Sequence, residues 1–302
     1  MNEQKRVIAL GFFDGVHRGH GALLSRVAGK AAELGAAPAA VTFDTHPENL
    51  IFGSPMPLIN SPLDRAELMR RYYGIREVIV AHFDDRMMHM PWEDFITEFL
   101  VKEHGAVHLV AGHDFHFGYK GEGNPDRLRE KCARLGVGCD IIPKVELDGI
   151  TISSTYIRTL LAQGEIERAN YFLGHPHTLT DTVHHGKKLG STLGFPTVNL
   201  RFQPGVLIPA RGVYAARVWF ENGESRCAVT NVGVRPTVDS HGEVNVEGFI
   251  LDFDGDLYGQ TVRMEFYRYL RGERKFPTLE ALREEIMRNA EETRAYFRGR
   301  EM

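Results

Sequence analysis

Five short and almost wholly apolar runs mark the first 175 residues: Val7 to Leu10, Ala39 to Phe43, Val78 to Ala81, Val107 to Ala111 and Cys139 to Ile142. A run without polar alternation is what a parallel strand covered on both faces requires. Between the runs lie stretches with helix boundaries. Ser61-Pro62 opens one and Gly74 ends it, Pro91 opens another that Gly105 closes, and Asn124-Pro125 caps a third that stops at Gly136. This alternation predicts a doubly wound α/β domain, whose ligands bind beyond the carboxyl ends of the strands.

Directly after the first run, Gly11 to His20 reads Gly-Phe-Phe-Asp-Gly-Val-His-Arg-Gly-His and leads into helical spacing. A helix start offers unpaired N–H groups and the positive end of the macrodipole to a phosphate. Gly11, Gly15 and Gly19 let backbone approach a ligand, and His17 and His20 can donate to a phosphoryl oxygen as charge builds on it. A plain tight turn, a histidine metal pair or solvated loop histidines are the competing readings. The strand–loop–helix context favours a nucleotide site, and the three cysteines form no CxxC pair that would support zinc.

Two further segments fall at the same edge, Thr42 to Pro47 and Gly112 to Gly118. Within them His46 and Asp114 suit ligand contact and local turn chemistry equally. Ile152 to Arg158 places Ser153, Ser154, Thr155 and Arg158 at a helix start. N-capping explains one hydroxyl, whereas neutral donors, a dipole end and a bidentate cation together suit a polyphosphate.

Near Leu173-Gly174-His175-Pro176 short β-rich runs replace the alternation, which predicts a second, antiparallel β domain. Gly212 to Trp219, Arg226 to Val232 and Val244 to Phe253 read as strands, and Asp254-Gly255 offers a hairpin turn. A helix from about Leu279 to Phe297 carries Leu282, Ile286 and Ala290 on one face, most simply a packing stripe. Gly186 to Asn199 joins glycines and lysines to a Thr/Asn pair. It reads equally as a phosphate loop with hard oxygen ligands and as a basic hairpin tip. Glu247, by position alone, is an ordinary solvated strand residue.

The 302-residue chain, 43% hydrophobic and 25% charged, has room for two globular domains. Its net charge of −4 supplies no overall basic field for nucleic acid, and no apolar run approaches the roughly 20 residues of a membrane span. Three scattered cysteines and an N-terminus leading straight into a strand suggest a cytoplasmic protein.

The paired GxFDGxHxGH and ISSTxIR segments resemble nucleotidyltransferase signatures in the form found in bacterial bifunctional riboflavin kinase/FMN adenylyltransferases, the FAD synthetases. The resemblance extends through Thr42 to Pro47 and Gly112 to Gly118, and on through the motifs after residue 180. It implies a Rossmann-like nucleotidyltransferase domain over 1–174, then an antiparallel Greek-key β-barrel with a C-terminal helix over 178–302. The implied partners are ATP, riboflavin and FMN, with Mg²⁺ accompanying ATP, FMN and FAD as products, and neither nucleic acid nor membrane. Oligomeric state stays open.

By the same resemblance, His17 and His20 stabilise charge at the α-phosphate. Gly11, Phe13, Asp14, Gly19, Asp114, Ser153, Ser154, Thr155 and Arg158 bind the first nucleotide, and Gly186, Lys188, Gly190 and Gly194 the second. Thr197 and Asn199 contact Mg²⁺, and Glu247 is the catalytic base. Three positions depart from the family pattern: Val198 replaces Ala, Gly248 replaces Thr and Asp181 replaces Gly. The alternative reading is another nucleotidyltransferase carrying a non-catalytic flavin-binding barrel.

Overall fold

The structure, a computed structural model, describes residues 4–46, 56–185, 197–234 and 244–300. It divides into two compact units, Met1–Ser154 and Thr155–Met302.

In the first unit β1 (Arg6–Leu10), β2 (Ala37–Phe43), β3 (Glu77–Ala81), β4 (Ala106–Gly112) and β5 (Gly138–Ile142) form a sheet in the order β3-β2-β1-β4-β5. Every neighbouring pair is parallel. A short antiparallel pair, β6 (Glu146–Leu147) and β7 (Ile150–Thr151), follows. Alternate residues of β1 face opposite ways. Ile8 and Leu10 join one buried cluster with Val41, Leu109 and Ile96, while Val7 and Ala9 join another with Leu24, Val27 and Met69. Burying each of these larger aliphatic side chains contributes about 1.5–3 kcal/mol, which is why the runs lack polar alternation. The strand order reverses between β1 and β4, so a crevice opens at their carboxyl ends.

The expected helix boundaries hold at Pro62–Tyr73 and Pro125–Leu135. Ser61 accepts from Asp64 N–H at 3.1 Å and Asn124 from Arg127 N–H at 3.0 Å, and left-handed Gly74 and Gly136 end the two helices. The stretch after Pro91 differs from the expected α-helix: only Trp92–Asp94 is α-helical, and Phe95–Glu103 continues as a π-helix.

The second unit opens with helices Ser154–Gln163 and Ile166–Leu173. Strands β8 (His177–Thr182), β9 (Thr197–Leu200), β10 (Gly212–Trp219), β11 (Ser225–Val234), β12 (Val244–Ile250) and β13 (Thr261–Arg271) form an antiparallel sheet in the order β8-β13-β10-β11-β12-β9. The two edges meet through an antiparallel bridge between His184 and Asn199, where His184 N–H donates to Asn199 O at 2.9 Å. That single bridge joins the two ends of the curled sheet, which forms a barrel-like half-closed layer. Helix Leu279–Phe297 packs Ala290 against Val213, Val229 and Leu251.

Two expectations for this unit are corrected. The strand read to Phe253 ends at Ile250, because the chain turns at Leu251 and Asp252, the latter with φ 55. Asp254-Gly255 forms no two-residue hairpin. Both edges of β12 are already taken, by β11 and β9, so the chain crosses to β13 through a longer connection.

Candidate active sites

The loop leaving β1 is wound tightly against its own side chains. Phe13 (φ 58, ψ 31), Gly15 (φ 79) and Val16 (φ 42) take left-handed backbone. For β-branched Val16 that conformation is strained, the kind of strain that collects at ligand-binding loops. His17 caps helix Arg18–Leu34, its Nδ1 accepting from His20 N–H at 3.2 Å. A neutral His17 therefore carries its proton on Nε2. The His20 ring stacks on His17 at 3.6 Å, with the Phe13 ring edge-on at 5.3 Å.

Burial, then the proximity of His17 and of Arg65, holds the His20 pKa well below the ordinary histidine range. His20 is thus a neutral donor at pH 7. The flanking glycines serve these rings as much as any ligand. A Cβ at Gly19 would lie 3.0 Å from His17 Cε1, and one at Gly11 would lie 3.1 Å from Phe13 Cζ. Fully buried Arg65 braces the loop from behind, donating to Phe12 O at 2.7 Å and to Thr42 Oγ1 at 2.9 Å.

A crevice of about 510 Å³ opens beside this loop. Gly11, Phe13, His17, Gly19, His20, His46, Asp114, Ser153 and Ser154 all line it. Asp14 does not. It is buried, accepts from Ile59 N–H at 2.8 Å, and lends its carbonyl to Ser154 Oγ at 2.9 Å, so it holds the loop to its neighbours. Thr155 and Arg158 follow on helix Ser154–Gln163, in the second unit. Sequence reasoning passed over Lys144, a cation on the crevice wall paired with Glu146 at 2.9 Å. Its signal was available, since it lies just after β5 at the same sheet edge.

In the second unit a cavity of about 300 Å³ lies between the sheet and the C-terminal helix. Val213, Val229, Phe249, Phe276, Leu282 and Ile286 make its walls apolar, and Thr197, Asn231, Glu247 and Arg271 add polar groups. Register explains the grouping. Glu247 pairs with Asn199 on one side and Asn231 on the other, and Phe249 pairs with Thr197, so residues two apart turn one set of side chains the same way. Asn199 is 3% exposed. Asn245 Nδ2 donates to Asn199 Oδ1 at 3.1 Å and to Glu247 Oε1 at 2.9 Å. Leu282 and Ile286, read from sequence as packing residues, line this cavity, whereas Ala290 packs. The loop residues Gly186, Lys188, Gly190 and Gly194 lie outside the described residues, as does Pro47.

Two of the three departures from the family pattern, Gly248 and Asp181, have local accounts. Gly248 faces away from the cavity, and a Cβ there would lie 2.7 Å from Met264 Cε and 3.2 Å from Val198 Cγ2, so Met264 occupies the space a larger residue would need. Asp181 accepts from Arg201 N–H at 2.8 Å and lies 3.1 Å from His184 Nε2, at the barrel seam.

An α/β crevice with a histidine loop, followed by a barrel whose apolar cavity ends in a carboxylate, is the anatomy of a two-domain nucleotide-dependent transferase. A family model described as FAD synthetase matches residues 1–156, and one described as riboflavin kinase matches residues 173–297. The chain is 36% identical over 294 residues to a bifunctional riboflavin kinase/FMN adenylyltransferase of Listeria monocytogenes, covering 97% of this chain and 92% of that one. It is 36% identical over 289 residues to the enzyme of the same description from Pseudomonas fluorescens, covering 96% and 92%. A crystal structure described as a macrolide-efflux protein from Streptococcus pneumoniae shares the fold with a TM-score of 0.83 at 29% identity, covering 97% of this chain and 95% of that one. The chain belongs to the bifunctional riboflavin kinase/FMN adenylyltransferase family. The efflux description stays with the streptococcal protein; among the described residues no helix is long and apolar enough to cross a membrane.

Proposed function

We propose that this chain converts riboflavin to FMN in its barrel cavity and FMN to FAD in its α/β crevice, in the cytoplasm. In the first reaction Glu247 accepts the proton of the ribityl 5′-hydroxyl as that oxygen attacks the γ-phosphate of ATP. The O–P bond to FMN forms, the bond to ADP breaks, and the apolar walls hold the flavin ring. Thr197 and Asn199 offer hard oxygen donors beside Glu247, a set whose chemistry fits Mg²⁺, and they would hold it. Bound there, the ion would neutralise phosphate charge. Gly186, Lys188, Gly190 and Gly194 would hold the ATP phosphates.

In the second reaction a phosphate oxygen of FMN attacks the α-phosphate of another ATP and pyrophosphate leaves. His17 and His20, as neutral donors, bind the oxygens on which charge builds. Ser153, Ser154, Thr155 and Arg158 hold the departing phosphates, while Gly11, Phe13, Gly19 and Asp114 shape the nucleotide cleft and Asp14 holds the loop. No protein nucleophile is needed.

The observation that carries the kinase reading is Glu247 on the cavity wall, hydrogen-bonded through Asn245 to Asn199. Its place on the wall of an apolar cavity, beside Thr197, favours catalysis over a non-catalytic barrel. The test incubates the protein with riboflavin, ATP and Mg²⁺ and separates the flavins by chromatography. Glu247→Gln should slow FMN formation by about 10²–10⁴-fold and leave FMN-to-FAD conversion intact. His20→Ala should do the reverse, with FMN accumulating. Equal loss of both activities in either variant would sink the division of labour.

A further inference from the structure

Asn245 joins the two groups on which phosphoryl transfer in the barrel depends. It lies two residues before Glu247 on the same face of β12 and is 5% exposed. Its Nδ2 is 2.9 Å from Glu247 Oε1 and 3.1 Å from Asn199 Oδ1. An ionised carboxylate only accepts, so Glu247 turns the NH₂ of Asn245 toward itself. The second N–H of that NH₂ then meets Asn199, which must answer with its carbonyl oxygen. The orientation of both amides therefore propagates from Glu247.

We propose that Asn245 is a positioning residue for riboflavin phosphorylation: it holds the Glu247 carboxylate in place and locks Asn199 with its carbonyl oxygen turned inward. The inference rests on the reading of Glu247 as base and Asn199 as metal ligand. A carbonyl oxygen has two acceptor sites, so Asn199 Oδ1 can serve Asn245 with one and a cation with the other. Asn245 favours the Asn199 orientation that presents the carbonyl oxygen, not the NH₂, to the cation, and it adds a restraint on the Glu247 rotamer. Hydrogen-bonded supports of this kind commonly matter nearly as much as the groups they orient.

The test uses the full-length chain, whose FMN-to-FAD conversion reports independently that the protein is folded. Asn245→Leu is close in volume and has no donor. It should lower kcat for FMN formation about ten- to a hundredfold, with the KM for riboflavin changed by no more than about twofold. Calorimetry without riboflavin supplies a readout apart from turnover. The gain in ADP affinity on adding Mg²⁺ should shrink in Asn245→Leu, and Asn245→Ser, which keeps one donor, should recover part of both losses.

Wild-type kcat and wild-type Mg²⁺-dependent ADP binding in Asn245→Leu, with Glu247→Gln inactive, would overturn the positioning role and leave the base assignment standing. An active Glu247→Gln would overturn the base assignment itself. If Asn245→Leu loses FAD synthesis as well, Asn245→Ser decides by the same two readouts.

Discussion

At the scale of single residues, His177 shows how a barrel interior stores pH sensitivity. It is fully buried, both ring nitrogens lack hydrogen-bond partners among the described residues, and the Phe202 and Phe266 rings lie 6.4 and 5.7 Å away. Burial, and then the nearby His175, holds its pKa down to about 3. The unfolded chain binds a proton there below about pH 6.5, whereas the folded chain stays neutral. The depressed pKa therefore contributes stability that is complete above pH 6.5 and is lost as pH falls from 6.5 toward 3. The loss approaches about 1.4 kcal/mol per pH unit within that window. Urea unfolding of the barrel between pH 7.5 and 4 should show this slope, and His177→Phe should flatten it. An unchanged slope in that variant would place the acid sensitivity elsewhere.

At the scale of elements, barrel closure is concentrated at the seam between β8 and β9. The Asp181 carboxylate accepts from Arg201 N–H, and His184 N–H donates to Asn199 O, so one short stretch sets the register of the strand that carries Thr197 and Asn199. Asp181→Gly removes the carboxylate. It should speed amide hydrogen exchange at Arg201 and His184 about tenfold, the equivalent of one hydrogen bond of about 1.4 kcal/mol, while exchange in β1 stays unchanged. Protection equal to wild type at both amides would show that the seam holds without it.

The same contrast between local and distant partners explains what the sequence revealed of the fold. The parallel sheet was legible because its apolar runs and the caps at Ser61 and Asn124 are local signals. β13 was not, because Glu265 sits buried in its middle, answered by Trp219 Nε1 at 2.8 Å and Tyr267 OH at 2.9 Å. His17, His20 and Glu247 stood in motifs. Lys144 was legible from its place just after β5 but was passed over, whereas Asn245 and the cavity-lining role of Leu282 emerge only when strands and helix come together.

At the scale of the whole molecule, the compact units divide between Ser154 and Thr155, whereas β-rich composition begins only after Gly174. The helices between these points belong by their contacts to the barrel. Helix Ile166–Leu173 buries Ile166, Ala169, Phe172 and Leu173. Its Asn170 donates to Phe266 O at 2.8 Å and accepts from His177 N–H at 2.7 Å, which fastens β13 and the start of β8. Leu161 O accepts from Ala210 N–H at 2.9 Å.

A fragment of residues 155–302 should therefore unfold cooperatively and phosphorylate riboflavin, and a fragment of 178–302 should do neither. Losing the larger buried side chains at about 1.5–3 kcal/mol each, together with the Asn170 bonds, reaches the roughly 5–15 kcal/mol that holds a whole domain together. Thermal melting followed by circular dichroism, with the kinase assay on the same samples, checks this. If 178–302 melted as high as 155–302 and turned over as fast, the helix pair would be dispensable to the barrel. Its place in the chain would then have to be explained by the crevice reaction, in which Thr155 and Arg158 are proposed to act.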